Sequence, residues 1–151
     1  MVESKLKHIY GFEKLAVWQE IRYFVTEVYQ MTKSFPQEEK YGLSDQLRRA
    51  AVSVSSNIAE GSTRTSSKDQ SHFYQISYSS LMEVLSQVTL ALDLDYITEA
   101  ESDNLRAQIE KLSYQINQLH KSALSRPSKP SQLSKPSKPS PPPQPSQLPK
   151  A

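Results

Sequence analysis

The sequence predicts an all-α protein: an antiparallel up-down-up-down four-helix bundle carrying a disordered Pro/Ser/Lys-rich C-terminal tail. Three observations lead there. Between residues 12 and 124 apolar side chains recur in alternating steps of four and three, the period of a helix with one buried face. Gly11, Gly42 and Gly61 are the only glycines, and each borders a periodic stretch. Nine of the ten prolines follow Arg126, where proline forbids helix and favours extended chain. The chain therefore divides into an N-terminal extension (1–11), a bundle (12–124) and a tail (125–151).

The first helix is expected from Phe12 to Ser34. Val17, Ile21, Phe24, Val28, Met31 and Phe35 form its seam, Trp18 and Val25 widen it, and Pro36 marks its end. The second is expected from Leu43 to Glu60, with Ser44 or Asp45 as cap and Gly61 just past the end. Its stripe is Leu43, Leu47, Ala51, Val54 and Ile58. The run AVSVSS inside it has strand-like composition, but its alternation is brief and the helical period outlasts it. The third helix is expected from Ser67 to Leu94, capped by Ser66 or Ser67, with Tyr74, Tyr78, Leu81, Leu85, Val88 and Leu92 as its seam. The fourth opens on a capping box, Thr98-Glu99-Ala100-Glu101, and continues through Leu105, Ile109, Leu112, Ile116, Leu119 and Ala123. Short connections between long rods make sequential helices antiparallel neighbours. Small residues on further faces of the second and third helices (Ala50, Ala51, Ser53, Ser55, Ser56 and Ala59; Ser77, Ser80 and Ala91) point to a helix approaching from another subunit, hence a homo-oligomer.

Composition removes several function classes. There is no cysteine, which excludes disulfides and thiolate metal sites. No apolar run approaches the length that spans a bilayer, and the charged start is no signal peptide, so a cytoplasmic location without membrane association is the expectation. The net charge of +2 hides a division. Residues 1–124 hold 13 Lys/Arg against 16 Asp/Glu, whereas 125–151 hold five cations and no acid. The tail repeats Ser-Lys-Pro-Ser and Pro-Ser-Gln-Leu. It reads either as a solvated appendage or as a PxxP or nucleic-acid-binding arm.

No motif supports catalysis. Three isolated glycines supply no phosphate loop. His8, His72 and His120 lack the paired Glu-x-x-His spacing of a di-iron bundle, and Asp69 three residues before His72 reads as a cap beside a rim histidine. The acids Asp93, Asp95, Glu99, Glu101 and Asp103 lack the central glycine of a calcium loop. No enzyme, cofactor or metal is expected. The distinctive cations are Arg48, Arg49, Arg64 and Lys68. They read either as one basic patch for phosphates or as partners of nearby carboxylates such as Asp45 and Glu60.

Several segments resemble a known family. Phe12 to Trp18 (FEKLAVW), Tyr41 to Ala51 (YGLSDQLRRAA), Ser56 to Gly61 (SNIAEG), Arg64 and Ser80 to Glu83 (SLME) resemble bacterial four-helix-bundle proteins encoded within intervening sequences of the large-subunit (23S) ribosomal RNA gene. That family also includes the accessory variability determinants of diversity-generating retroelements. The resemblance covers about residues 10–122; Ser55 departs from it where members often carry proline. It implies a homopentamer of four-helix protomers with no known catalytic activity, and for retroelement members binding to a reverse transcriptase and to nucleic acid. By the same resemblance Arg48, Arg49 and Arg64 match family arginines, and Asn57, Glu60 and Gly61 match a family corner. The expected function is a non-enzymatic, RNA-associated oligomer; the alternative is a scaffold that docks a reverse transcriptase or another protein.

Overall fold

The computed structural model describes residues 7–127. The expected tail from residue 128 onward lies outside the described residues, as do residues 1–6. Four helices form an antiparallel bundle in chain order: α1 (Ala16–Thr32), α2 (Leu43–Thr63), α3 (Ser67–Asp93) and α4 (Glu99–Leu124). Short 3-10 turns, Gly11–Lys14 and Gln37–Tyr41, precede α1 and α2. Each helix packs on its sequence neighbours, α1 closes the ring against α4, and the α2–α3 seam is the most extensive. No strand occurs among the described residues, and AVSVSS is helical. Residues spaced three and four apart from all four helices, among them Ile21, Phe24, Leu47, Ile58, Leu81, Val88, Ile109 and Ile116, fill the core.

The borders show how local chemistry shapes each rod. The first helix begins later than expected: Phe12 belongs to the 3-10 turn, Leu15 is extended, and α1 starts at Ala16. The Glu13 carboxylate accepts from the Tyr10 amide at 2.8 Å and caps the start of that turn, and the Leu15 amide closes its end on the Phe12 carbonyl at 3.0 Å. Neither Ser44 nor Asp45 caps α2. Ser44 is buried, and the Glu39 carboxylate, reaching across from the preceding turn, accepts from the Leu43 amide at 2.8 Å. Gly42 permits this, since a Cβ there would lie 2.5 Å from that carboxylate oxygen. Ser66 caps α3, and the box at Thr98 and Glu101 caps α4 as expected.

The end of α3 is a Schellman turn. The Tyr96 amide donates to the Ala91 carbonyl at 2.9 Å and the Asp95 amide to Leu92 at 3.0 Å, with Asp95 in the left-handed region at φ 58°. The following corner is tied to the rest of the bundle by Tyr96, whose hydroxyl donates to Glu39 at 3.0 Å and whose ring packs on Phe35.

Two expectations about small residues are corrected. Gly61 does not follow α2; the helix runs on to Thr63, and Gly61 lies inside it. A Cβ there would meet the Tyr74 ring at 2.8 Å, so this glycine serves close approach of α3 rather than a positive φ. The row expected to await another subunit is largely used within the chain. Ala50, Ser77, Ser80 and Ala91 are buried in the α2–α3 seam. The Ser77 hydroxyl donates to the Val54 carbonyl at 2.8 Å, and the Ser53 and Ser80 hydroxyls bond at 2.8 Å. Small side chains let these two helices approach closely, as the sequence implied, but the approaching helix comes from the same protomer.

Candidate nucleic-acid interface

The four singled-out cations do not form one patch. Sixteen residues separate Arg48 from Arg64, about 24 Å along a helix. Arg48 is half-buried between α1 and α2: its Nε donates to Thr32 Oγ1 at 2.8 Å, and its guanidinium lies 5.0 Å from the centre of the Tyr29 ring. Arg49 is exposed and sits 3.8 Å from the Asp45 carboxylate. These two belong to the start of α2. Arg64, at its end, pairs with Glu60 and lies over the Phe73 ring at 4.5 Å. Lys68 follows in the first turn of α3, exposed and outside any ion pair among the described residues.

Asn57, Glu60 and Gly61 meet at the α2–α3 junction. The Asn57 amide nitrogen donates to the Ser53 carbonyl at 2.8 Å and reaches its hydroxyl at 3.1 Å, which extends the link to Ser80. Glu60 pairs with Arg64, whose guanidinium lies over Phe73, and Gly61 admits Tyr74 beside it. Burial pushes the Tyr74 phenol above its usual range, while nearby Arg126 opposes the shift. The NIAEG block is thus the packing code of this corner. Asn57 serves the seam, and Glu60 pairs with Arg64 at its edge.

A larger electrostatic feature emerges from the topology. Antiparallel order places the start of α1, the end of α2, the start of α3 and the end of α4 at one end of the bundle. Within two turns of that end, seven Lys/Arg stand against four Asp/Glu. Within two turns of the other end, nine Asp/Glu stand against four Lys/Arg. The bundle therefore has a basic and an acidic pole. Arg64 and Lys68 stand on the basic pole; Arg48 and Arg49 lie in acidic surroundings. The tail starts from the basic pole, since α4 ends there and Arg126 donates to Gln70 at 3.3 Å. His120 Nδ1 lies 3.1 Å from both the hydroxyl and the carbonyl of Ser71, closing α4 onto α3 at the same end.

The basic pole also carries an aromatic ladder. His8 and Tyr10 meet edge to face at 4.8 Å, Tyr10 and Phe12 lie nearly parallel at 6.5 Å, and Phe12 meets Trp18 at 4.8 Å. Arg22 lies over the Trp18 ring at 5.4 Å. Sequence reading passed over this group. Its visible signal was the alternation His8-x-Tyr10-x-Phe12 within a segment notable at first only for charge.

Along the α1–α4 seam the contacts are polar. Glu20 accepts from Lys111 at 2.9 Å and from Gln115 at 3.1 Å, and Glu27 accepts from Asn104 and Gln108. The hydrogen bond from Lys111 holds the Glu20 carboxyl below its usual pKa. Among the described residues no group of three or more His, Asp or Glu is placed to hold a metal ion, and no helix is long and apolar enough to cross a membrane.

Comparison with known proteins agrees with this architecture. Residues 13–118 match the family model described as 23S rRNA-intervening sequence protein. No curated protein matches the chain. The crystal structure of a protein with unknown function from the S23 ribosomal protein family of Bacteroides thetaiotaomicron superimposes with a TM-score of 0.66 at 18% identity, over 70% of this chain and 99% of that one. At that identity the likeness concerns the fold.

Proposed function

The chain belongs to the 23S rRNA-intervening sequence protein family, and on that premise we propose that it is a non-enzymatic, oligomeric RNA-associated protein of the cytoplasm whose basic pole contacts phosphates. The observation that carries this reading is the separation of charge along the bundle. A body with more carboxylates than cations still offers one end where six cations outnumber four acids, and Arg126, the first cation past the body, adds a seventh there. Arg64 and Lys68 are its phosphate-facing members from the original set. Arg48, bonded to Thr32 and stacked on Tyr29, holds α1 against α2, and Arg49 beside Asp45 contributes little to a polyanion.

Phosphate contact releases counterions, so affinity falls steeply with salt. Anisotropy titration of labelled RNA at low and physiological salt tests this. Tight binding at low salt, weakened by Lys68→Glu and by ending the chain at Pro127, is expected. Binding no tighter than that of an acidic control protein ends the proposal. Assembly into a homo-oligomer, pentameric by family resemblance, is tested by light scattering at micromolar concentration; a 17.1 kDa particle would contradict it.

The acidic pole favours a second reading, a scaffold that docks a basic protein such as a reverse transcriptase. A stoichiometric protein partner that survives nuclease treatment and is lost on neutralising Asp93 and Glu99 would favour the scaffold; a partner released by nuclease favours RNA.

A further inference from the structure

We infer that the exposed Tyr10 ring, held at the outer end of the ladder with Phe12 and Trp18 on the basic pole, is a stacking platform for unpaired bases, so that the RNA taken by this protein is single-stranded. The inference rests on the RNA reading above and adds strandedness and a contact surface to it. An exposed aromatic face accepts any base that is free to stack, and each such contact contributes substantially to single-strand affinity. Bases inside a duplex are stacked on one another and offer no face. Here Tyr10 is 61% exposed although it touches both His8 and Phe12, so its ring is held in place and still open to solvent. The Glu13 carboxylate fixes the Tyr10 amide, which anchors the backbone beneath the ring without using the ring itself.

The surroundings suit a polyanion better than a purely apolar partner. Lys7 and Lys14 are exposed in the same segment, Arg22 lies over the Trp18 ring, and the 3-10 turn bearing Phe12 packs on α2, the helix that Arg64 follows. Aromatic faces interleaved with cations are what a single strand requires, with bases stacked on one and phosphates tracked by the other. Four more lysines follow Arg126 in sequence.

The test uses the full chain and two probes of identical length, a single-stranded oligouridine and a hairpin duplex, at low salt. Trp18 is the only tryptophan, so its emission reports on the ladder directly. Oligouridine should quench Trp18 and bind at least about fivefold tighter than the duplex. Tyr10→Ala should remove about that preference, and Tyr10→Phe, which keeps the ring, should retain it. Circular dichroism of Tyr10→Ala should match the parent, since the lost side chain is exposed. Equal affinity for both probes, with Tyr10→Ala without effect, overturns the platform while leaving RNA association standing. No binding of either probe overturns both. A change in particle mass on Tyr10→Ala with unchanged RNA affinity would assign the ladder to contact between copies of the chain instead.

Discussion

Replacing Gly61 by alanine puts the packing of the α2–α3 corner to a quantitative test. At an ordinary interior helical position this change is stabilising, by about 0.8–1 kcal/mol. Here the added methyl would sit 2.8 Å from Tyr74 Cε1 and 3.0 Å from Phe73 Cβ and Tyr74 Cδ1. Tyr74 is 3% exposed and cannot swing outward without opening the seam. Overpacking of this kind costs about 1–3 kcal/mol, which cancels the gain and leaves a net loss of up to about 2 kcal/mol. For a domain of this size that corresponds to a fall in Tm of up to roughly 8 °C. Thermal unfolding followed by circular dichroism, at fixed protein concentration so that any assembly contributes equally, reads it. Gly11→Ala is the control, because a Cβ there meets nothing within 4 Å. If Gly61→Ala raises Tm as an unhindered helical glycine would, the close-approach account of this corner is wrong.

Other substitutions probe separate joints. Ser77→Val should lower stability by about 1–3 kcal/mol in chemical denaturation, because it inserts volume into the tightest seam and removes the bond to Val54. Asp95→Gly should raise stability by about 0.5–1 kcal/mol, since it relieves a left-handed residue in the Schellman turn; a decrease would show that the Asp95 side chain has a task of its own. The Glu20 carboxyl is held below its ordinary pKa, chiefly by the hydrogen bond from Lys111. Its contribution is therefore present above the unfolded pKa and is lost as pH falls through the folded value. Glu20→Gln should flatten stability against pH on the acid side below about pH 4.5 and leave it nearly unchanged at pH 7, where a half-exposed pair contributes under about 1 kcal/mol.

How far the molecule was legible depended on how local each cause is. Helix existence came from periodicity, and the Ser66 cap and the Thr98 box lie within four residues of the helices they start, so both were readable. The Gly61 position was misread because its reason, the Tyr74 ring, lies thirteen residues away and on another helix. The cap of α2 was misread for a related reason: Glu39 reaches forward from a different turn, and nothing in Ser44 or Asp45 reveals that they go unused. Ser77 and Ser80 were recognised as small-residue contacts, but sequence does not say which chain supplies the approaching helix. The division of Arg48 and Arg49 from Arg64 and Lys68 follows from helix length, which was available. What concealed it was the assumption that cations near in sequence are near in space. The two poles needed the topology, because each gathers charges from four separate segments.

The most direct measurement of the account is the salt dependence of RNA affinity in Lys68→Glu and Arg49→Glu, two exposed cations at opposite poles. Recognition by the basic pole predicts weaker binding and a log–log salt slope reduced by about 0.7 or more for Lys68→Glu, with Arg49→Glu close to the parent. Equal losses from both, or a larger loss from Arg49→Glu, would contradict it.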